Sequence, residues 1–312
     1  MIVSTIKRVG LGVSMVLTSI SVASAACERV TFSDVGWTDI TATTAVSTVI
    51  LDALGYETDI KLLSVPVTYA SLAKGDIDVF LGNWMPTMEA DIAPYREAGT
   101  VDTVRENLEG AKYTLAVNDK AAMAGIRHFA DIAKFRDELD GKIYGIEPGN
   151  DGNRLILDMI TSNAFGLNGF EVVESSEQGM LAQVKRAQSR GEMIVFLGWE
   201  PHPMNANFNL TYLEGGDDYF GPNLGGATVF TNTSAGFTRK CPNIGRFLNN
   251  LKFSLQMENE IMGDILDNNM DPQKAAEKAL KKDADILGKW LAGVNTRGGQ
   301  NGLAAVKSAL GM

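Results

Sequence analysis

The chain has 312 residues and a formal net charge of −10, from 28 Lys and Arg against 38 Asp and Glu. An acidic chain argues against nucleic acid and anionic membranes as partners, because phosphate groups bind basic surfaces. Beyond the N-terminus no run approaches the roughly 18 consecutive apolar residues of a membrane-spanning helix. A chain of this length is long for one hydrophobic core and comfortable for two.

The first 25 residues have the pattern of a secretory signal peptide. Lys7 and Arg8 precede an uncharged, mostly apolar run, and Ala23 and Ala25 stand at the −3 and −1 positions of a cleavage site. The apolar run is too short to span a membrane. The sequence therefore predicts a signal peptide over residues 1–25 and a mature protein exported to the periplasm.

After the signal peptide, short apolar strands alternate with helical patterns. The predicted strands are residues 29–35, 57–65, 76–82, 142–146, 170–174, 193–198 and 228–232. The predicted helices are a segment from Thr38 or Asp39 to Leu54, a short one that ends at Gly75, then 151–166, 176–192, 242–268, 271–293 and 302–310.

This alternation predicts an α/β fold, with mainly parallel sheets that are flanked by helices. The strands and helices fall into two sets of domain size, so we predict two lobes with a ligand cleft between them. Lobe 1 is predicted to comprise residues 26–112 and 222–312, and lobe 2 residues 113–221. The chain then crosses between the lobes twice.

The chain contains two cysteines, Cys27 and Cys241. In an exported protein an even pair predicts a disulfide, which would hold the first strand against a segment late in the chain. The alternative is that Cys27 is the lipid-bearing cysteine of a lipoprotein. The residues before it lack the usual Leu three places upstream, and lipidation would leave Cys241 unpaired, so the disulfide is favoured.

Two segments of the chain echo each other. FLGNWMP at 80–86 and FLGWEP at 196–201 are both apolar runs that reach a glycine, a tryptophan and a proline. Each is predicted to end a strand, and ligands of open α/β sheets lie outside the carboxyl ends of strands. Trp84 and Trp199 are therefore predicted to face each other across the cleft.

Two more aromatic residues join this pair. Trp37 follows the first strand, and Tyr113 lies where the chain enters lobe 2. Four rings around one space, with no lysine or arginine among the candidate residues, suit an alkylammonium ion, since a quaternary nitrogen cannot donate a conventional hydrogen bond and ring faces supply negative potential. The fourth tryptophan of the chain, Trp290, lies on a C-terminal helix and is predicted to belong to the core.

Two polar residues complete the predicted site. Asp39 would attract a cation and accept a hydrogen bond from a ligand hydroxyl, but it is equally suited to cap the helix that follows. Asn150, at a strand-to-helix turn, would contact the oxygen end of the ligand, and its alternative role is a left-handed turn residue. Helix N-termini also bind anions, which leaves glycine betaine open as a ligand.

Signatures of enzymes and metal sites are poor. The two histidines, His128 and His202, are not accompanied by a catalytic motif or a Cys-His cluster. Glu200 follows Trp199 without a nucleophile or partner base, and Asp34, Glu147 and Asn205 are weaker candidates of the same kind. We therefore predict no enzymatic activity, no cofactor and no metal.

At these residues the chain resembles the betaine/choline-binding family of ABC-importer solute receptors, and in particular its periplasmic choline-binding members. The resemblance covers most of the mature chain and shows no departure at a motif position. It rests on the stretches FSDVGWTDITATTA, YETDIKLLSVPVTYASL, DIDVFLGNWMPTMEADI, ENLEGAKYTLA, GKIYGIEPGNDGNRLILDM, FEVVESSEQGMLAQV, VFLGWEPHPMNANF and SLQMENEIMG.

The resemblance implies a two-lobed, type II solute-binding fold that closes around choline. Its aromatic box, hydroxyl-binding pair and disulfide would map onto Trp37, Trp84, Tyr113 and Trp199, onto Asp39 and Asn150, and onto Cys27 and Cys241. A membrane permease and an ATPase on separate chains are the implied partners, and we expect a monomer that binds acetylcholine more weakly than choline. The rival functions are a glycine betaine receptor and, from another class, a choline-ester hydrolase.

Overall fold

The computed structural model describes residue 1 and residues 27–312, so the predicted signal peptide, Met1 aside, lies outside the described residues. In this part of the chain, no helix is both long and apolar enough to cross a membrane.

One hydrogen-bonded sheet of nine strands runs through the described residues, in the order β2-β1-β3-β9-β4-β7-β5-β6, with β8 also paired to β4. The strands are β1 Arg29–Asp34, β2 Glu57–Leu62, β3 Val79–Met85, β4 Val101–Asn118, β5 Lys142–Tyr144, β6 Glu171–Val173, β7 Val195–Glu200, β8 Leu210–Tyr212 and β9 Gly226–Ser234.

Helices follow or separate these strands. They are α1 Thr38–Ala53, α2 Val65–Lys74, α3 Glu89–Glu97, α4 Asp119–Ala124, α5 Asp151–Thr161, α6 Glu177–Arg190, α7 Met204–Asn207, α8 Asp217–Phe220, α9 Pro222–Gly225, α10 Phe237–Lys240, α11 Pro242–Asn250, α12 Leu255–Leu266, α13 Pro272–Lys282, α14 Ala284–Trp290 and α15 Gly302–Ala309. Two 3₁₀ helices, Phe129–Phe135 and Ala164–Gly166, complete the described secondary structure.

The sheet contains two parallel sets, as the sequence predicts. Strands β2, β1 and β3 run parallel, and so do β6, β5 and β7. Between the sets, β9 and β4 are antiparallel to their neighbours. The α/β fold is confirmed, but the middle of the sheet is antiparallel because the chain returns through it.

The long strand β4 joins the two sets. Its first part, from Val101 to Lys112, pairs with β9, and from Lys112 to Val117 it pairs with β7. The sequence predicts no strand between residues 82 and 142, so β4 is missed. The exchange of partners at Lys112 lies beside the predicted lobe boundary, and the boundaries themselves remain a prediction.

The C-terminal helices differ in one respect from the prediction. Segments 242–268 and 271–293 each contain two helices, α11 with α12 and α13 with α14. The first break occurs because Phe253 leaves the helical path and donates its backbone N–H to the Asn107 carbonyl at 2.7 Å. Ser254 then caps α12 by accepting from the Met257 amide.

The predicted disulfide is confirmed. Cys27 and Cys241 are bonded, with their Cα atoms 5.6 Å apart. The bond fastens the residues just before β1 to the start of α11, across 214 positions of sequence. Since the sulfur of Cys27 is used in this bond, the lipoprotein alternative is wrong.

Candidate functional site

The two tryptophans of the echoed segments lie at matching places. Trp84 is the penultimate residue of β3 and Trp199 that of β7, so both lie inside their strands rather than beyond the ends as predicted. In each case a cis peptide bond to proline follows, Met85–Pro86 in one and Glu200–Pro201 in the other. Both rings are almost completely buried.

A cavity brings the predicted residues together. Its lining consists of Trp37, Asp39, Trp84, Tyr113, Ile146, Asn150 and Trp199. Tyr113 lies centrally, with its ring centroid 6.1 Å from that of Trp84 and 6.3 Å from that of Trp199, both in edge-to-face orientation. Among the described residues that line it, none is a lysine or arginine.

Asp39 is the one carboxyl group in this lining. It is 2% exposed, and its Oδ2 accepts a hydrogen bond from the Trp84 indole Nε1 at 3.1 Å, while Oδ1 is buried without a partner. Burial, reinforced by the charge of Glu177, raises the pKa of Asp39 to about 8. Asp39 is inside α1 and is not its cap, because Trp37 holds the N-cap position.

Asn150 is both a helix cap and part of the cavity lining. Its Oδ1 accepts from the Asn153 backbone N–H at 3.0 Å and from the Tyr113 hydroxyl at 2.8 Å. Its Nδ2 donates to Asp151 Oδ1, which leaves the second amide hydrogen for another acceptor. The backbone φ of Asn150 is −67°, so the alternative of a left-handed turn residue is wrong.

Comparison with known proteins identifies the family. Residues 28–282 match the model of OpuAC, the substrate binding domain of ABC-type glycine betaine transport systems. The chain belongs to this family. It is therefore the substrate-binding component of an ABC transporter and not an enzyme, and the hydrolase alternative is wrong.

Two solved structures are similar over nearly the whole chain. One is an ABC-transporter choline binding protein in complex with choline, 70% identical, covering 91% of this chain and 99% of that one, with a TM-score of 0.91. The other is an ABC-transporter choline binding protein in an unliganded semi-closed conformation, also 70% identical, covering 92% and 100%, with a TM-score of 0.85.

A sequence relative is shorter. The uncharacterized protein ORF1 of Chromohalobacter salexigens is 51% identical over 129 residues, which is 41% of this chain and 83% of the relative.

Two residues in or beside the cavity are missed by the sequence prediction. Ile146 was assigned to a strand but lies beyond β5 and lines the cavity. Gly152 lies so close to Tyr113 that a Cβ atom at this position would be 2.1 Å from the tyrosine oxygen. The only sequence signal for the glycine is its place in the turn that opens α5.

Three residues that the sequence analysis considered as weaker functional candidates do not line the cavity and instead make structural contacts. Asn205 donates to the Trp199 carbonyl at 2.8 Å, and Glu200 pairs with Lys112 at 3.2 Å. Asp34 accepts from the Gly36 amide and the Thr41 hydroxyl. Across the described part of the chain, no group of three or more His, Cys, Asp or Glu side chains is placed to hold a metal.

The buried histidine and two glutamates form a separate cluster beside the cavity. His202 is buried, and its Nδ1 accepts from the Met204 amide, which leaves Nε2 to donate to Glu177 at 3.2 Å. Glu147 accepts from the Trp37 indole at 3.1 Å. Burial raises the pKa of Glu147 to about 7. The sequence offers no pattern that singles out Glu177.

Proposed function

We propose that this chain captures choline in the periplasm and delivers it to a permease and an ATPase on separate chains. One observation carries the proposal: the rings of Trp37, Trp84, Tyr113 and Trp199 enclose one cavity with the partnerless Oδ1 of Asp39. The periplasmic location is supported by the disulfide, which is typical of an oxidising compartment.

The lining of the cavity suits the chemistry of a quaternary ammonium group. Such a group has no N–H to donate, and each ring face contributes about 0.5 to 2 kcal/mol of attraction once water is removed. The choline complex of the 70% identical relative supports the same ligand class here.

Asp39 and Asn150 favour choline within this class. The free Oδ1 of Asp39 can accept a hydrogen bond from the choline hydroxyl, and the second amide hydrogen of Asn150 can donate to its oxygen. Acetylcholine lacks the hydroxyl hydrogen and should bind more weakly.

The rings come from both proposed lobes, so a ligand that touches both lobes stabilises the closed state. All of these residues belong to one chain, so a monomer contains the whole site.

Glycine betaine is the second candidate, because the family model is that of glycine betaine transport systems. Its carboxylate would meet the carboxyl group of Asp39. With the pKa of Asp39 raised to about 8, that repulsion is weaker at pH 6 than at pH 9. Choline should therefore bind more tightly than betaine, by a margin that widens as pH rises.

Titration calorimetry tests the proposal. Trp84→Ala and Trp199→Ala should each abolish measurable binding at micromolar choline, whereas Trp290→Phe should retain it. Trp290 is a suitable control because it lies in the core on α14. Unchanged choline binding in both alanine variants would contradict the aromatic box, and betaine binding as tight as choline at pH 9 would contradict the role of Asp39.

A further inference from the structure

A polar cluster bridges the two proposed lobes beside the cavity. Glu177, in the first turn of α6, is 0% exposed. Its Oε2 accepts from the Thr38 backbone N–H at 2.8 Å, and its Oε1 accepts from the Thr38 hydroxyl at 2.6 Å. The donors belong to the first residue of α1, which lies 139 positions earlier in the sequence.

A second glutamate reinforces the first. Glu147 Oε1 accepts from the Glu177 backbone N–H at 2.8 Å, and its Oε2 accepts from the Trp37 indole at 3.1 Å. Two carboxyl groups of proposed lobe 2 therefore bind the first residues of α1 in proposed lobe 1. That helix presents Trp37 and Asp39 to the cavity.

The N-terminus of α1 depends on this contact. Its N-cap residue, Trp37, makes no side-chain capping bond. The first N–H groups of a helix have no partner within the helix, and the positive end of its dipole favours a negative charge. Glu177, from the other proposed lobe, supplies a carboxylate partner for the first of these groups, the Thr38 N–H.

The cluster also reaches the other side of the cavity. His202 Nε2 donates to Glu177 Oε1 at 3.2 Å, and the His202 ring packs against Trp199 with centroids 4.9 Å apart. One carboxylate thus connects the start of α1 with the histidine that packs against Trp199. Glu177 is not among the cavity-lining residues and makes its contribution through others.

We propose that Glu177 is a closure clasp, a positioning residue that stabilises the closed state and so sets how slowly the ligand leaves. The proposal rests on the proposed function. Charge-assisted hydrogen bonds are shorter and stronger than neutral ones. Because these bonds join the lobes, they favour the closed form over the open one, which is the condition for shifting that equilibrium. Ligand contacts are left unchanged, so the association rate should hardly respond.

The test uses Glu177→Gln in the full mature chain. A glutamine keeps the shape of the side chain, but its amide sets an N–H against one of the donors from Thr38 or His202. Stopped-flow fluorescence with choline should show dissociation faster by about 10- to 100-fold, with association changed less than about threefold. Glu171→Gln, an exposed glutamate of β6, is the matched control and should behave like the unmodified protein.

A second variant keeps the proposal falsifiable if the first folds poorly. Thr38→Ala removes one donor to Glu177 and should also accelerate dissociation, whereas Thr38→Ser should restore the slow rate. Since both variants break the same contact, the effect of Thr38→Ala combined with Glu177→Gln should be smaller than the product of the two.

Two readouts separate the clasp from the ligand assignment. Failure of the unmodified protein to bind choline would overturn the proposed function. Small-angle scattering of the ligand-free proteins tests the clasp without a ligand, and Glu177→Gln should have the larger radius of gyration. If Glu177→Gln and the unmodified protein have the same radius of gyration and the same dissociation rate, the clasp is overturned. If choline does not bind, the radius of gyration decides alone, and equal values overturn the clasp.

Discussion

Strands β3 and β7 each bring a tryptophan to the cavity near their ends, but the two strands are paired with their neighbours differently. Along β3, the pairing with β9 shifts between Phe80 and Asn83, where three steps on one strand match two on the other. Along β7, the pairing with β4 is regular, and Trp199 lies directly opposite Tyr113. The extra residue of FLGNW relative to FLGW is therefore accommodated as a β-bulge.

The bulge decides which way Trp84 points. Side chains alternate between the two faces of a strand, so an extra residue in a regular strand would move Trp84 to the opposite face. In a bulge, two residues of one strand lie opposite a single residue of its partner, so the alternation of side chains is restored beyond it. Asn83 is also fixed in place, because its Oδ1 accepts from the buried Tyr69 hydroxyl at 2.9 Å.

The anchoring of the two rings differs as well. Trp84 is held by its indole N–H on Asp39, whereas Trp199 is held by ring packing on His202 and by the bond from Asn205 to its carbonyl. The Trp84 ring is therefore hydrogen-bonded to a carboxyl group, whereas the Trp199 ring makes no such bond to Asp39 and is held by packing.

Deletion of Asn83 should have the largest effect. With the bulge removed, β3 can keep its pairing with β9 or the direction of Trp84, but not both. We expect choline affinity to fall by more than about 100-fold, which corresponds to roughly 2.7 kcal/mol, in titration calorimetry. Thermal unfolding should also occur at a lower temperature.

Asn83→Ala is the control for this deletion. It removes the acceptor for the Tyr69 hydroxyl but keeps the number of residues, so Trp84 should stay in place. We expect a loss of about 1 to 3 kcal/mol in the free energy of unfolding, from the unpaired buried hydroxyl, and affinity within about threefold of the original. If the alanine variant loses binding as severely as the deletion, the bulge is not what orients Trp84.

Trp84→Phe and Trp199→Phe should separate the two anchoring modes. Each change keeps an aromatic face but removes the indole N–H, and only Trp84 uses that N–H to bind Asp39. We expect choline affinity to fall about tenfold more in Trp84→Phe than in Trp199→Phe, equivalent to about 1.4 kcal/mol. Equal losses in titration calorimetry would show that the bond to Asp39 contributes nothing to binding.

Apart from Ile146, the residues that line the cavity could be predicted from sequence because each belongs to a local pattern. Trp84 and Trp199 end apolar strands, and Asn150 begins a helix, so the general geometry of parallel strands places them at one edge. The disulfide followed from an even pair of cysteines in an exported chain. In these cases, the information lies within a few residues or in composition.

What the sequence could not give depends on long-range partners. Glu177 is an ordinary glutamate in the first turn of a helix, and its role comes from Thr38, 139 positions away. The sequence does not predict β4, because its pairing with β9 is interrupted by repeated register shifts, which break the alternation of buried and exposed residues. The need for glycine at position 152 comes from Tyr113, 39 positions earlier in the sequence, whose hydroxyl oxygen occupies the space of a Cβ atom.

The titration of Asp39 gives the smallest and most specific prediction. A cationic ligand favours the ionised carboxyl group, whose pKa is raised to about 8 in the folded protein. Choline affinity should therefore fall as pH is lowered from 8 to 6, by at most about tenfold per pH unit for one proton. Asp39→Asn should bind more weakly at pH 8 and lose most of this slope in titration calorimetry.

Stability of the ligand-free protein should change in the opposite direction. The pKa of Asp39 is raised by burial from its ordinary 3.8, so the folded state keeps a proton that the unfolded state releases. This stabilisation is complete below pH 3.8 and is lost as pH rises toward 8. Asp39→Asn should therefore weaken the fall in melting temperature between pH 5 and 8, while Trp199→Phe should leave it unchanged.

Glu147 is the control for this prediction. Its pKa is raised to about 7, so it contributes a pH dependence of stability with the same sign, and Glu147→Gln must be measured beside Asp39→Asn. A slope abolished by Glu147→Gln alone would assign the titration to Glu147 rather than to Asp39.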